Sequence, residues 1–259
     1  MCSRFLSRAA AACLLFAAFA RAGELRVCAD PAAMPSSDAR KQGYDNRIAE
    51  VVARDLGATL VYTWQRNGRG FVRDVLNKSV CDVVLGVPSD VRAMLTTVPY
   101  YRSTYVFVTR RDRELELHTF EDPQLRRLKI GVQVLSEEYA PPGQALGRHG
   151  LATNIVGYDT TDEAASIMKA VYRGKVDTAI VWGPLAGYYA LRHPRRLTIT
   201  PTPVADPPLP MAFSISLGVS KRRPDLRDRL NTVLSRHKSE ISRILRSYGV
   251  PLLPEARAE

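Results

Sequence analysis

The stretch Val80-Cys81-Asp82-Val83-Val84-Leu85-Gly86-Val87-Pro88 returns about a hundred residues later as Lys175-Val176-Asp177-Thr178-Ala179-Ile180-Val181-Trp182-Gly183-Pro184. In each copy a helical stretch enters a polar or basic turn, and an aspartate opens an apolar run that ends beside glycine and proline. A short unbroken apolar run after a helix reads as a buried parallel strand, and the glycine and proline as a loop at its carboxyl end. Two such units imply two similar α/β lobes. Ligands of open α/β sheets sit outside the carboxyl ends of the strands, so both loops are expected to face one cleft.

Working outward, Leu25 to Ala29 reads as a strand ending at Asp30-Pro31, and a helix runs from about Arg47 to Leu56, capped by Asp45 or Asn46 and stopped by Gly57. Thr59 to Trp64 is strand-like, and a second helix near Phe71 to Asn77 leads into the first copy. This β-α-β-α-β order specifies a parallel sheet with right-handed crossovers. After a long extended segment, Tyr100 to Thr109, a second series begins with strands at Leu128 to Val134 and Thr153 to Tyr158. Asp159-Thr160-Thr161-Asp162 offers capping residues for a helix to Arg173 that leads into the second copy, and another helix spans Pro184 to Leu191. The proline-rich connection 201–210 precedes an alternating strand, Met211 to Val219, and one long helix from Pro224 to about Tyr248. Extended crossings near 103–111 and 201–213 bracket the middle series, as when a chain leaves one lobe, builds a second and returns. The expected divisions are 1–22, a leader; 23–109 with 211–259, lobe I; and 110–210, lobe II.

The leader is read from Arg4 and Arg8, the apolar run Ala9 to Ala20 and the Ala20-Arg21-Ala22 cleavage pattern of an export signal. Its apolar run is too short to span a bilayer. The 37 basic residues, less three arginines lost with the leader, exceed 26 acidic ones by eight. Export argues against a nucleic-acid partner and leaves an anionic ligand or acidic protein. Cys28 and Cys81 are the cysteines left after processing. An even count in an oxidising compartment suggests a disulfide, but the two strand ends are out of register, which leaves a bridge and two free thiols both open.

The expected cleft residues are Asp30, Tyr44, Pro88, Ser89, Tyr100, Tyr101, Gln133, Trp182 and Gly183, with Arg92 or Arg102 as a cation for a ligand carboxylate and Asp30 as an anion for an ammonium. The second lobe presents Trp182-Gly183 where a carboxylate would be useful, so the cleft reads as apolar and aromatic rather than charge-matched. His118, His149, His193 and His237 have no metal-ligand spacing, and no nucleophile, phosphate-loop or dinucleotide motif is present. The reading is a binding clamp without catalytic residues, metal or cofactor.

The chain resembles the type II periplasmic solute-binding proteins, and within them the quinoprotein-dehydrogenase-associated branch, the methanol oxidation protein J family. The resemblance is carried by Leu25 to Pro31, Ile48-Ala49-Glu50 through Ala58, Arg69 to Arg73, Cys81 to Pro88, Pro99 to Val108 and Ala179 to Tyr189. Pro35-Ser36-Ser37 and Asn67-Gly68 depart from the pattern. The resemblance implies a two-lobed Venus-flytrap fold in the periplasm, and assistance in maturing or activating a PQQ-dependent methanol dehydrogenase, with its cytochrome c as a further partner. The competing expectations are a solute receptor of an ABC transporter for a small polar or organic-acid ligand, and capture of the anionic quinone itself.

Overall fold

The computed structural model describes residues 23–66, 80–135, 138–159 and 165–254. The leader, the helix expected near 71–77 with Arg69 and Arg73, Ser136, and the capping residues Thr160, Thr161 and Asp162 lie outside them.

The first series is β1 (Glu24–Ala29), α1 (Tyr44–Asp55), β2 (Thr59–Trp64) and β3 (Val83–Pro88). β1 lies in the middle, parallel to both neighbours, with Val27 opposite Tyr62 on one side and Val83 on the other. Ile48, Val51 and Val52 turn one face of α1 to the core, and Gly57 ends the helix with φ of 61°. The start of α1 corrects the expected cap. The helix begins at Tyr44 behind Gly43, because the Asn46 side chain reaches back to accept the Gly43 N–H at 3.0 Å and the Asp38 N–H at 3.1 Å.

β4 (Tyr101–Arg110) carries the chain onward. The second series comprises β5 (Ile130–Leu135), α2 (Pro141–Arg148), β6 (Ile155–Asp159), α3 (Ser166–Tyr172), β7 (Thr178–Trp182), α4 (Gly183–Arg192) and β8 (Leu197–Pro201). β9 (Ala212–Val219) returns to β3. The main sheet path runs β6-β5-β7-β4-β9-β3-β1-β2, with β8 beside β4. Its middle is the hinge. Residues 101–104 of β4 pair antiparallel with β9, whereas 105–109 pair with β7 and 106–110 with β8. The two crossing strands are therefore hydrogen-bonded neighbours.

The apolar residues separate on either side of this hinge. Val27, Ile48, Val83, Leu217, Leu230 and Leu245 belong to one core cluster, while Phe107, Ile130, Val132, Leu146 and Ile180 belong to another, with Ile167 and Val181 in a third beside it.

The expected single C-terminal helix is two, α5 (Pro224–Arg236) and α6 (Lys238–Ser247). His237 leaves helical geometry at φ −101° and ψ 16°. Its Nε2 lies 3.0 Å from Asp55 Oδ1 and its Nδ1 3.0 Å from Glu240 Oε2. Arg236 pairs with the same Asp55 at 2.8 Å, so the junction is bound to the end of α1. The break lets Leu230 and Val233 on one helix and Ile241 and Leu245 on the other bury against one core. Among the described residues, no helix is long and apolar enough to cross a membrane.

Candidate functional site

A cavity of about 560 Å³ opens where the carboxyl ends of β1, β5 and β7 meet the hinge strands, within the size range of small-ligand sites. Both copies of the repeat reach it, through Gly86 and Pro88 of the first and Trp182 and Pro184 of the second. They do so differently. Gly86 and Pro88 remain within β3, Gly86 at φ 66°, because β9 pairs with the strand as far as Pro88. In the second copy, Gly183 and Pro184 begin α4 directly after Trp182. The expectation of two equivalent loops is corrected accordingly.

Of the residues expected at the cleft, Asp30, Tyr44, Pro88, Tyr101, Gln133 and Trp182 line the cavity. The other five lie outside its wall. Ser89 Oγ bonds to Ser216 Oγ at 2.6 Å and donates to the Ser214 carbonyl. Arg92 is exposed on the loop after β3. Arg102, expected as a carboxylate partner, instead donates to the carbonyl of Pro254 at 3.3 Å, drawn toward the C-terminal segment that runs along β4. Gly183 is a packing residue, since a Cβ there would stand 2.5 Å from the Thr104 carbonyl oxygen. Tyr100 stands one layer back and donates its hydroxyl to Asp45 Oδ1 at 2.6 Å.

Aromatic rings form much of the wall. Tyr44 and Tyr101 meet edge to face at 6.0 Å with their hydroxyls 3.1 Å apart. Tyr105, Trp182 and Phe213 form a second group with centroids 5.4 to 6.4 Å apart. Trp182 is fixed through its backbone N–H, which donates to Gln133 Oε1 at 2.7 Å. Burial raises the hydroxyl pKa of Tyr44, Tyr101 and Tyr105 well above the ordinary tyrosine value, so these groups stay neutral at physiological pH.

The charged groups of the described lining are acidic. Asp30 is buried, and its Oδ1 accepts the Ala32 N–H at 2.8 Å in a local turn. Asp45, 4 % exposed and expected as a helix cap, lines the cavity instead. Burial pushes its carboxyl up to about 7, against the lowering effect of the Tyr100 hydrogen bond. Among the described lining residues there is no lysine, arginine or histidine. The cleft is thus aromatic as expected, but it also carries a buried acid that the expected site omitted. The signal available in the sequence was Gly43-Tyr44-Asp45, where a carboxylate directly follows a tyrosine assigned to the cleft. The loop 31–38 covers this end of the cavity through the Met34-Pro35-Ser36-Ser37 segment, and it is held to α1 by the Tyr44 N–H on Pro35 and the Asp45 N–H on Ser36. Among the described residues, no group of three or more His, Cys, Asp or Glu is placed to hold a metal.

Cys28, which lines the cavity, and Cys81 are joined in a disulfide with Cα atoms 5.7 Å apart. Cys28 stands opposite Val84 in the sheet register. The bridge is possible because the chain passes Thr63, whose hydroxyl donates to the Val80 carbonyl at 3.5 Å, before it turns into β3. Thr63 is the neighbour of Cys28 in β2, so Cys81 crosses at that level.

Two lobes joined by paired hinge strands, with a cleft at the strand ends between them, define a type II periplasmic binding protein. The solved structure of periplasmic binding protein XoxJ from Methylobacterium extorquens AM1 superposes with a TM-score of 0.74 at 36% identity, covering 89% of this chain and 100% of that one. MxaJ from Methlophaga aminisulfidivorans MPT shares the fold at a TM-score of 0.75 and 24% identity, over 88% of this chain and 100% of the other. Protein MoxJ of Paracoccus denitrificans is 34% identical over an alignment 268 positions long that covers 96% of each chain. Protein MoxJ of Methylorubrum extorquens is 33% identical over 90% of this chain and 83% of its own. No protein-family model matches the chain. The chain belongs to the MoxJ family of methanol-oxidation-associated periplasmic binding proteins.

Proposed function

We propose that this chain acts in the periplasm as a non-enzymatic accessory protein of methanol oxidation. It binds a PQQ-dependent methanol dehydrogenase, takes a segment of the unfinished enzyme into its cleft and assists its maturation or activation. The observation that carries this reading is the cleft wall: five aromatic rings, two acids and, among the described residues, no cation to receive a ligand carboxylate. A receptor for an amino acid or organic acid must neutralise that carboxylate when it is desolvated. The same acidic lining disfavours capture of an anionic quinone. An apolar cleft with aromatic walls and a few polar groups suits an extended or helical segment of a protein.

The reading is tested by deleting the gene and measuring methanol dehydrogenase activity in the periplasm of methanol-grown cells. Activity falls in the deletion strain and returns with the unaltered gene, but not with Ala32→Trp, which fills the cavity at a lining position. Unchanged activity in the deletion strain contradicts it.

A further inference from the structure

We propose that the cleft recognises a protonated amine on an apolar stem, carrying no carboxylate of its own, with the ammonium seated on Asp45. This inference rests on the reading of the cleft as the binding site and adds what that site selects.

Asp45 is an unusual wall residue. It is almost wholly buried, yet it lines the cavity. Its Oδ1 accepts the Tyr100 hydroxyl at 2.6 Å, and no hydrogen bond from the described residues reaches Oδ2. The wall beside that oxygen is Gly86, an exposed glycine at φ 66°. A Cβ on residue 86 would stand 2.9 Å from Oδ2 and cover it, so the glycine leaves the acceptor open.

A buried carboxylate is costly unless it is paired, and among the described residues Asp45 has the Tyr100 hydroxyl on Oδ1 but no cation. The chain as a whole has a formal net charge of +11. Against that background, a lining with Asp45 open on Oδ2 and no described cation is selective for positive charge. Tyr44 and Tyr101 stand near the acid, and aromatic rings attract ammonium groups further. Phe213, Trp182 and Ile215 offer apolar surface to a stem. A zwitterionic amino acid would bring a second charge for which the described lining has no cation.

The titratable groups facing Asp45 are Tyr44 on its own helix, Tyr62 on β2, Tyr100 just before β4 and Tyr101 at its start, with Asp30 the other ionisable lining residue. Burial keeps these four tyrosines neutral well past physiological pH. Asp45 ionises at about 7, so amine binding strengthens as pH rises through neutrality.

The test is calorimetric titration of the processed chain with n-butylammonium, with lysine blocked at both termini, and with butyrate, at about pH 6 and about pH 8. The two amines separate the possible sources, a free amine or a lysine side chain on a partner segment. Binding of either amine is expected, about tenfold tighter at the higher pH, with no binding of butyrate. Asp45→Asn loses at least about tenfold in affinity. Butylammonium binding alone assigns the site to a free amine, whereas binding of blocked lysine assigns it to a side chain. Failure of both amines, equal affinity at the two pH values, or equal affinity in Asp45→Asn overturns the proposal. The pH series on the unaltered chain keeps the test valid if the variant does not fold. Amine binding with unchanged dehydrogenase activity in the deletion strain would sustain this inference and remove the function. The opposite pair of results would do the reverse.

Discussion

Asp82 and Arg26 hold each other through backbone and side chain together. The Arg26 N–H donates to Asp82 Oδ2 at 3.0 Å, the Asp82 N–H donates to the Arg26 carbonyl at 2.8 Å, and the guanidinium Nη2 lies 2.9 Å from Oδ1. The second copy repeats the backbone part, with the Lys129 N–H on Asp177 Oδ2 at 2.9 Å and the Asp177 N–H on the Lys129 carbonyl at 2.9 Å. In each lobe the aspartate that opens the repeat therefore fixes the start of the neighbouring parallel strand.

Asp82→Asn removes the charge and weakens these bonds, and should destabilise the fold by about 1–3 kcal/mol. Burial works to raise the Asp82 pKa, but the Arg26 side-chain and backbone bonds outweigh it and leave the carboxyl below its ordinary value. Its contribution is present above the unfolded carboxylate pKa and is lost as pH falls through the lower folded value. Denaturant melts at neutral and acid pH check this: the gap between wild type and Asp82→Asn should narrow on acidification.

Asp45 has the opposite sign. Its folded pKa of about 7 lies above the ordinary 3.8, so the folded state holds the proton more tightly than the unfolded chain. The stability due to this group is complete below the unfolded value and declines as pH rises to about 7, by an amount on the order of a few kcal/mol. Asp45→Asn should lack that decline. Melting curves of both proteins across this window, taken as differences, measure it directly.

The Cys28–Cys81 bridge closes a loop with a sequence separation of 53. Constraining such a loop in the unfolded chain is worth about 2–4 kcal/mol. Reductant should lower the melting temperature of the unaltered protein and leave that of the Cys28→Ser, Cys81→Ser double variant unchanged.

Gly183 is held between Thr104, Ser103 and Pro251, where β4, α4 and the C-terminal segment meet. Gly183→Ala should destabilise by about 1–3 kcal/mol through overpacking. Its effect should appear as a lower denaturant midpoint.

Much of this architecture was legible in the chain. The repeat named β3 and β7, and the long segment beginning at Tyr100 and the return through Met211 to Val219 named the two hinge strands, because apolar runs and their punctuation are local signals. The break at His237 was not legible, since it depends on Asp55, a residue 182 positions away in sequence. The site was legible in part for a similar reason. Tyr44, Tyr101 and Trp182 follow from strand ends and helix starts, whereas the direction of Arg102 is set by the C-terminal segment that passes it. Asp45 satisfies local capping rules so well that only its burial against Tyr100 shows what else it does.

Engagement of a methanol dehydrogenase by the cleft is tested most directly by recovering that enzyme, identified by its quinone and its activity, on the tagged chain from the periplasm of methanol-grown cells, and comparing recovery on Ala32→Trp. The unaltered chain should capture the enzyme, and capture should be lost when the cleft is filled. Equal recovery on both, or none on either, would contradict that engagement.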